Sequence, residues 1–234
     1  FAIKTLMSDS PHLRGLHHHV LKIFHKTRYP IWQMQAGVAT VVVLQLLTSN
    51  TFLPFHKLWI AIPEILLLVI LMIVTAEGYR QVSHVRRSIA IILIELLAVI
   101  NIFSLLLLID ALITNSSQIE GRGLLLNGLA IYITNALMFA LLYWEMDGGG
   151  PDARTSGQAK RDFLFPQMIH ERYGHNWLPG FGDYLYVSTS NVTNFASSDT
   201  LPLTHRAKFT MMLQSLVSMI TVLLVLARAI NLLH

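Results

Sequence analysis

The chain has 234 residues, 53% hydrophobic and 13% charged, with a net charge of +4 and a mean hydropathy of +0.54. A soluble domain carries about 25% charged residues, so lipid has to account for the missing polarity. With no cysteine in the chain, disulfides, thiolate metal sites and a cysteine nucleophile are excluded.

Residues 1–29 are basic and lack the short apolar core and small-residue cleavage site of a signal peptide. The chain begins at Phe1, so the native start is expected upstream. Ser10 and Pro11 suit an N-cap and first helical position. Leu13, Leu16, Val20, Ile23 and Phe24 then recur at helical spacing, with Arg14, Lys22, Lys26 and Arg28 around them. This pattern predicts an amphipathic interfacial helix on an anionic leaflet. Tyr29 and Trp32 follow at the level of an aromatic belt.

A membrane span needs about 20 apolar residues. Five stretches meet that length, near 31–53, 58–78, 88–114, 123–145 and 206–232. The fold class expected is therefore an all-α integral membrane protein of five transmembrane helices. Residues 30–114 are expected to form a three-helix membrane domain, and 123–234 a separate domain that holds the last two spans. Between the last two spans lies the one long connection, 146–182. It opens on Gly148-Gly149-Gly150-Pro151, a helix stop. "DARTSGQAK" reads as mobile linker, and the aromatic-rich "DFLFPQMIHERYGHNWLPGFGD" as packing along the membrane surface.

The positive-inside bias places the N-terminus in the cytoplasm. All Lys and Arg except Lys57, Arg122 and Arg228 then fall on the cytoplasmic side, as does the long linker. A bacterial inner membrane is the expected location and the lipid bilayer the first partner. No nucleic-acid partner is expected.

Glu64, Glu95, Asn101, Asn127 and Asn135 lie at lipid depth. Polar groups there are costly, and serve either as interhelical hydrogen-bonding glue or in permeation and proton handling. Glu77, Asp110 and Glu145 lie at span ends, within reach of headgroups or water. Pro63 tends to kink the second span. No span carries the arginine ladder of a voltage sensor.

Consecutive helical residues point about 100° apart, so His17-His18-His19 do not converge on one metal. His170, Glu171 and His175 miss the H-E-x-x-H spacing of helical zinc sites. No metal, cofactor or catalytic residue is expected, and a membrane enzyme built on His170, Glu171 and His175 is the weakest reading.

The stretch "DYLYVSTSNVTNFASSDTLPLTHRAKFTMMLQSLVSMITVLLVLARAIN" offers a short helix from Asp183, a polar extended strand and a full span capped by Thr204. Irregular backbone at membrane depth is tolerated only where protein or a watery cavity satisfies it, so the unit is expected to be re-entrant. It resembles the pore region of potassium channels, in which a pore helix leads to a T-T-x-G-Y-G-D filter and a pore-lining helix. Asp183, Tyr186 and Ser188 fit the pore-helix pattern D-x-x-Y-x-S. Thr193 matches the threonine before the filter, Asp199 the aspartate after it, and Pro202 the proline beyond. The C-terminal half is also similar to uncharacterised bacterial membrane proteins with such a channel-like end. The resemblance implies an outer helix at 123–145, a linker at 146–182, a pore helix and filter-like loop at 183–202, an inner helix at 203–233, and a homotetramer.

The filter itself departs from that family. Asn194-Phe195-Ala196-Ser197-Ser198 stands where the glycines and tyrosine would be, and Ser218 where the inner helix would have a hinge glycine. Left-handed backbone at Ala196 and Ser198 costs about 1 kcal/mol each, so a potassium-selective filter is disfavoured. A wider site lined by Thr193, Asn194, Ser197 and Ser198 remains, with Asp199 favouring cations. The resemblance implies a pore loop inserted from outside, whereas the charge bias places it inside. An inverted placement, as in glutamate-receptor pores, reconciles the two. The function expected is cation or small-solute permeation without potassium-type selectivity. The alternative is a non-conducting scaffold or accessory subunit that keeps a pore-like fold.

Overall fold

The computed structural model describes residues 31–52, 62–63, 65–66, 68–70, 73, 83–113, 121–154, 160–170, 177–196 and 199–233. The expected interfacial helix, Glu64, Glu171, His175, Ser197 and Ser198 lie outside the described residues. In chain order the described elements are α1 (Ile31–Phe52), α2 (Ser83–Ile113), α3 (Gly121–Met146), a 3-10 turn (Asp147–Gly149), α4 (Pro151–Arg154), β1 (Phe163–Leu164), α5 (Pro166–Ile169), α6 (Phe181–Asn194), β2 (Leu201–Pro202) and α7 (His205–Leu233).

Three of the five expected spans are long apolar helices: Arg86–Ile113, Gly123–Gly149 and His205–Ile230. Such a set fits a multi-pass membrane protein. The first expected span coincides with α1, whose fully described apolar part, Gln33–Leu46, is shorter than a span. In the second, Ile62, Pro63, Ile65, Leu66, residues 68–70 and Ile73 are helical.

The most buried of the three is α3, which packs against α1, α2, α6 and α7. Between apolar helices in lipid the hydrophobic effect gives little, so close van der Waals approach and hydrogen bonds hold them. Small residues permit that approach. A Cβ on Gly128 would lie 2.4 Å from Val225 Cγ2, so α3 and α7 meet there without a side chain between them. A Cβ on Gly37 would lie 3.1 Å from Phe181 Cζ, so α1 seats the first residue of α6. Leu105, Leu108 and Ala111 of α2 cluster with Leu124 and Ile131 of α3, and Val217, Ile220 and Leu224 of α7 close over them.

The end of α3 is set by three glycines with positive φ: Gly148 at 60°, Gly149 at 82° and Gly150 at 95°. Left-handed backbone is open to glycine at little cost, and Pro151 then suits the first position of α4. Of the stretch expected to be a mobile linker, Asp152, Ala153 and Arg154 are helical, and residues 155–159 lie outside the described residues. Arg154 is 1% exposed, because Nη1 donates to the carbonyls of Trp144 (2.6 Å) and Asp147 (2.8 Å). Its guanidinium also lies 5.0 Å from the Trp144 ring and 5.1 Å from the Tyr184 ring.

The aromatic part of the linker turns inward. Phe163 and Phe165 are buried, with Phe163 5.1 Å from Tyr143 and Phe165 5.3 Å from Tyr184 between ring centroids. β1 pairs antiparallel with β2, Phe163 opposite Pro202 and Leu164 opposite Leu201. Among the described residues these two short strands are the only strands beside the helices.

Candidate functional site

The resemblance-bearing stretch begins two residues earlier than Asp183. Gly180 is the extended N-cap of α6, and Asp183 at the third helical position accepts the Gly180 N–H at 2.6 Å. That is the return half of a capping box, which the sequence "PGFGD" could have revealed. Burial pushes the Asp183 carboxyl above its usual value, partly offset by the backbone hydrogen bonds it accepts.

The helix also ends later than expected. Thr193 and Asn194, read as the start of an extended filter-like loop, are the last residues of α6. The Thr193 hydroxyl donates back to Thr189 (2.9 Å) and Ser190 (3.2 Å) carbonyls, which keeps the turn closed. The break falls at Phe195, left-handed at φ 53°, ψ 26°. Thr193, Asn194, Phe195, Ala196 and Asp199 are all exposed. Tyr186 is also exposed, at 56%.

Contacts with α3 fix the path of α6. Tyr184 Oη donates to Asp147 at 2.6 Å, Ser188 Oγ to the Ala136 carbonyl at 2.6 Å, and Tyr132 Oη to the Val192 carbonyl at 3.2 Å. The two helices therefore run antiparallel. With 14 residues, α6 is about 21 Å long, too short to cross a bilayer. The chain from Asn194 to Leu201 reaches at most about 25 Å in extended form. It returns to the end where α3 stopped, as the pairing of β1 and β2 requires.

A buried polar network moors α6 to both neighbours. Gln214 of α7 is fully buried. Its Oε1 accepts from Tyr143 Oη (2.5 Å) and Asn191 Nδ2 (2.8 Å). Its Nε2 donates to Ser188 Oγ (2.6 Å) and the Ser188 carbonyl (3.3 Å). Asn191 Nδ2 also donates to the Met211 carbonyl at 2.9 Å, and its Oδ1 accepts from Ser215 Oγ at 3.1 Å. Of the expected pore-helix residues, Ser188 is thus central to the network, while Tyr143, Asn191 and Gln214 were not read from the sequence as site residues. A 3.6-residue alternation of Ser188, Asn191 and Asn194 on one helix, and Gln214 and Ser218 on the other, is the signal that could have found it.

A second polar knot closes the end where α6 begins and α7 begins. Asp147 is fully buried and accepts the Asp162 N–H (2.6 Å), the Phe163 N–H (3.2 Å), Tyr184 Oη (2.6 Å) and Arg161 Nη1 (3.3 Å). Asp162, also fully buried, accepts Thr204 Oγ1 (2.6 Å), Arg206 Nε (2.6 Å) and Nη2, and the Gly148 N–H (3.1 Å). Burial pushes Asp162 up, but the bonds from Arg206, Thr204 and Gly148 outweigh it and hold its carboxyl below the usual value. Thr204 caps α7 as expected, its Oγ1 accepting the Ala207 N–H at 3.3 Å. With their oxygens filled by these donors, both aspartates act as structural acceptors.

Glu145, expected to reach headgroups or water, is instead 1% exposed and paired with Arg86 Nη1 at 3.1 Å. Arg86 also meets Asp152 at 3.1 Å, tying α2 to α3 and α4. The sequence hid this pair because its members are 59 residues apart.

The expected intramembrane polar residues divide. Asn135 Nδ2 donates to Ser218 Oγ at 2.7 Å, an α3–α7 link of the interhelical kind. Asn101 and Asn127 are buried, at 2% and 5% exposure. Glu95 lies on the exposed side of α2. Gln45 adds a link missed in the sequence, donating to the Leu97 carbonyl at 2.9 Å. His170 is exposed. Among the described residues no three His, Asp or Glu side chains converge as metal ligands do. No protein-family model, curated protein or solved structure matches the chain.

Proposed function

We propose that the chain is a subunit of a channel-like membrane assembly that passes cations or small solutes without potassium-type selectivity. The observation that carries this reading is the course of α6. A 14-residue helix is held between two long apolar helices, and both ends of the excursion meet at one end of α3. In a bilayer such an excursion is a re-entrant unit, and only protein or a watery cavity could satisfy the backbone at its tip. Thr193, Asn194 and Ala196 at that tip, and Asp199 on the return, are exposed.

In this reading the assembly is a homotetramer in the cell membrane, with α3 as the outer helix of the pore unit and α7 nearest the axis. The exposed flank of α7, including Phe209, Met212, Leu216 and Met219, is available to neighbouring copies. Four copies of Asp199 favour cations, and the missing filter glycines leave the site too wide to strip potassium of its water. The positive-inside bias sets the N-terminus and the long linker in the cytoplasm. Thiol labelling of Ser156→Cys in intact cells checks this, and ready labelling from outside would reverse the placement.

Ion flux into liposomes carrying the purified chain tests conduction. Cation flux that drops in Asp199→Asn supports the proposal, and no flux under any ion gradient removes it. A non-conducting accessory subunit is the second reading. Its support is that the Thr193 hydroxyl is spent on its own helix and that the apolar Phe195 occupies the turn.

A further inference from the structure

We propose that Gln214 is the positioning residue that sets how far α6 extends along α7, and thereby where residues 193–196 stand. This rests on the channel reading for its functional consequence and on the hydrogen bonds alone for its structural one. The amide carbonyl of Gln214 takes two protons and its nitrogen gives two, so both ends of the side chain are used. Three of those four bonds go to α6, at Ser188 and Asn191, and one goes to α3, at Tyr143. A carbonyl and an amine cannot exchange places without reversing donor and acceptor at every partner.

The arrangement admits one register. Sliding α6 by one residue along α7 moves Ser188 and Asn191 by about 1.5 Å and rotates them by about 100°. The Gln214 amide would then be left unpaired at a site with no exposure, where an unmet polar group carries its full desolvation penalty. From Asn191 to Asn194 is less than one turn, so the tip follows the mooring rigidly. Ser215, which bonds Asn191, guards the same register from the next position of α7.

The chain has no cysteine, so a single introduced thiol reports cleanly. Asn194→Cys is labelled with a membrane-impermeant maleimide in liposomes, with and without Gln214→Met, which keeps side-chain length and removes the amide. Thr221→Val serves as the control. Thr221 is fully buried on α7, and its hydroxyl bonds only back to the Val217 carbonyl. The expected result is an Asn194→Cys labelling rate changed by about tenfold in Gln214→Met and unchanged in Thr221→Val. Gln214→Glu, measured at acid pH where it can both accept and donate, should restore much of the original rate. In flux assays Gln214→Met should alter the sodium-to-potassium ratio, beyond any change in total flux.

Equal labelling in Gln214→Met and the unsubstituted background would overturn the proposal. So would equal changes in Gln214→Met and Thr221→Val, which would mean general loosening. A protein that conducts nothing but shows the labelling shift would defeat the channel reading and leave the positioning role intact. If Gln214→Met does not fold, Tyr143→Phe together with Ser188→Ala removes two of the four bonds, and the same labelling comparison applies.

Discussion

Asp162 and Arg206 are 44 residues apart in the chain and form a charge-assisted pair, Arg206 Nε lying 2.6 Å from Asp162 Oδ1. The backbone repeats the connection, since the Leu203 N–H donates to the Asp162 carbonyl at 2.7 Å. The linker is therefore fastened to the start of α7 at two levels. Removing a fully buried partner of an ion pair costs about 3–5 kcal/mol. Arg206 is half-exposed, so water recovers part of the loss and Arg206→Leu should cost about 2–3 kcal/mol. Thermal unfolding in detergent would measure it. A change within error would mean that the pair contributes little.

The same aspartate predicts an acid dependence. Its carboxyl is held below the usual value in the folded chain, so it binds fewer protons folded than unfolded. Its stabilisation is fully present above an ordinary carboxylate value of about 4 and is lost as pH falls through the lowered one. Melting temperature should decline from about pH 5 to about pH 3, and Asp162→Asn should flatten the slope. Asp183 has the opposite sign, because burial raises it. Its stabilisation is present at low pH and lost as pH rises through the raised value, so Asp183→Asn should steepen the acid decline.

Gly150→Ala should be costly and Gly182→Ala should not. Gly150 has φ 95° and ψ 173°, a conformation close to glycine-only. A Cβ there would also meet Glu145 Oε2 at 3.1 Å. Strain of this kind costs about 1–3 kcal/mol. Gly182 is exposed in the first turn of α6, with nothing within 4 Å of its Cβ position. Alanine there should stabilise by about 0.4–1 kcal/mol through the unfolded chain. Paired unfolding curves check both, and similar values for the two would contradict the backbone account.

Gly128→Ala should push α3 and α7 apart. The new carbon would lie 2.4 Å from Val225 Cγ2, and a β-branched side chain has few rotamers with which to retreat. Overpacking costs about 1–3 kcal/mol, and Val225→Ala on the same chain should recover most of it. A double-mutant cycle with no coupling energy would show that the helices do not meet at this point.

The spans on α2, α3 and α7 were legible because about 20 apolar residues in sequence carry the information locally. So were the Thr204 cap and the helix stop at the three glycines, which are decided by adjacent residues. The polar knot was not. Asp147 and Asp162 read as ordinary linker residues, since their partners Tyr184 and Arg206 are 37 and 44 positions away. The filter-like frame misled by two residues at each end of α6. A resemblance carries the order of residues, whereas the Gly180 cap and the Thr193 back-bonds set where this helix starts and stops.

The mooring of α6 has a consequence for how the chain is made. Ser188 and Asn191 find their partner Gln214 only 26 and 23 residues later. The knot at Asp162 likewise waits for Thr204 and Arg206. A 14-residue helix with Asp183, Asn191 and Asn194 lacks the length to partition into a bilayer by itself. In the proposed membrane assembly, α3 enters the bilayer first during synthesis, while α6 lingers in water or in the insertion machinery. Its place opens when α7 arrives, and a nascent chain stopped at Pro202 should leave α6 accessible to protease.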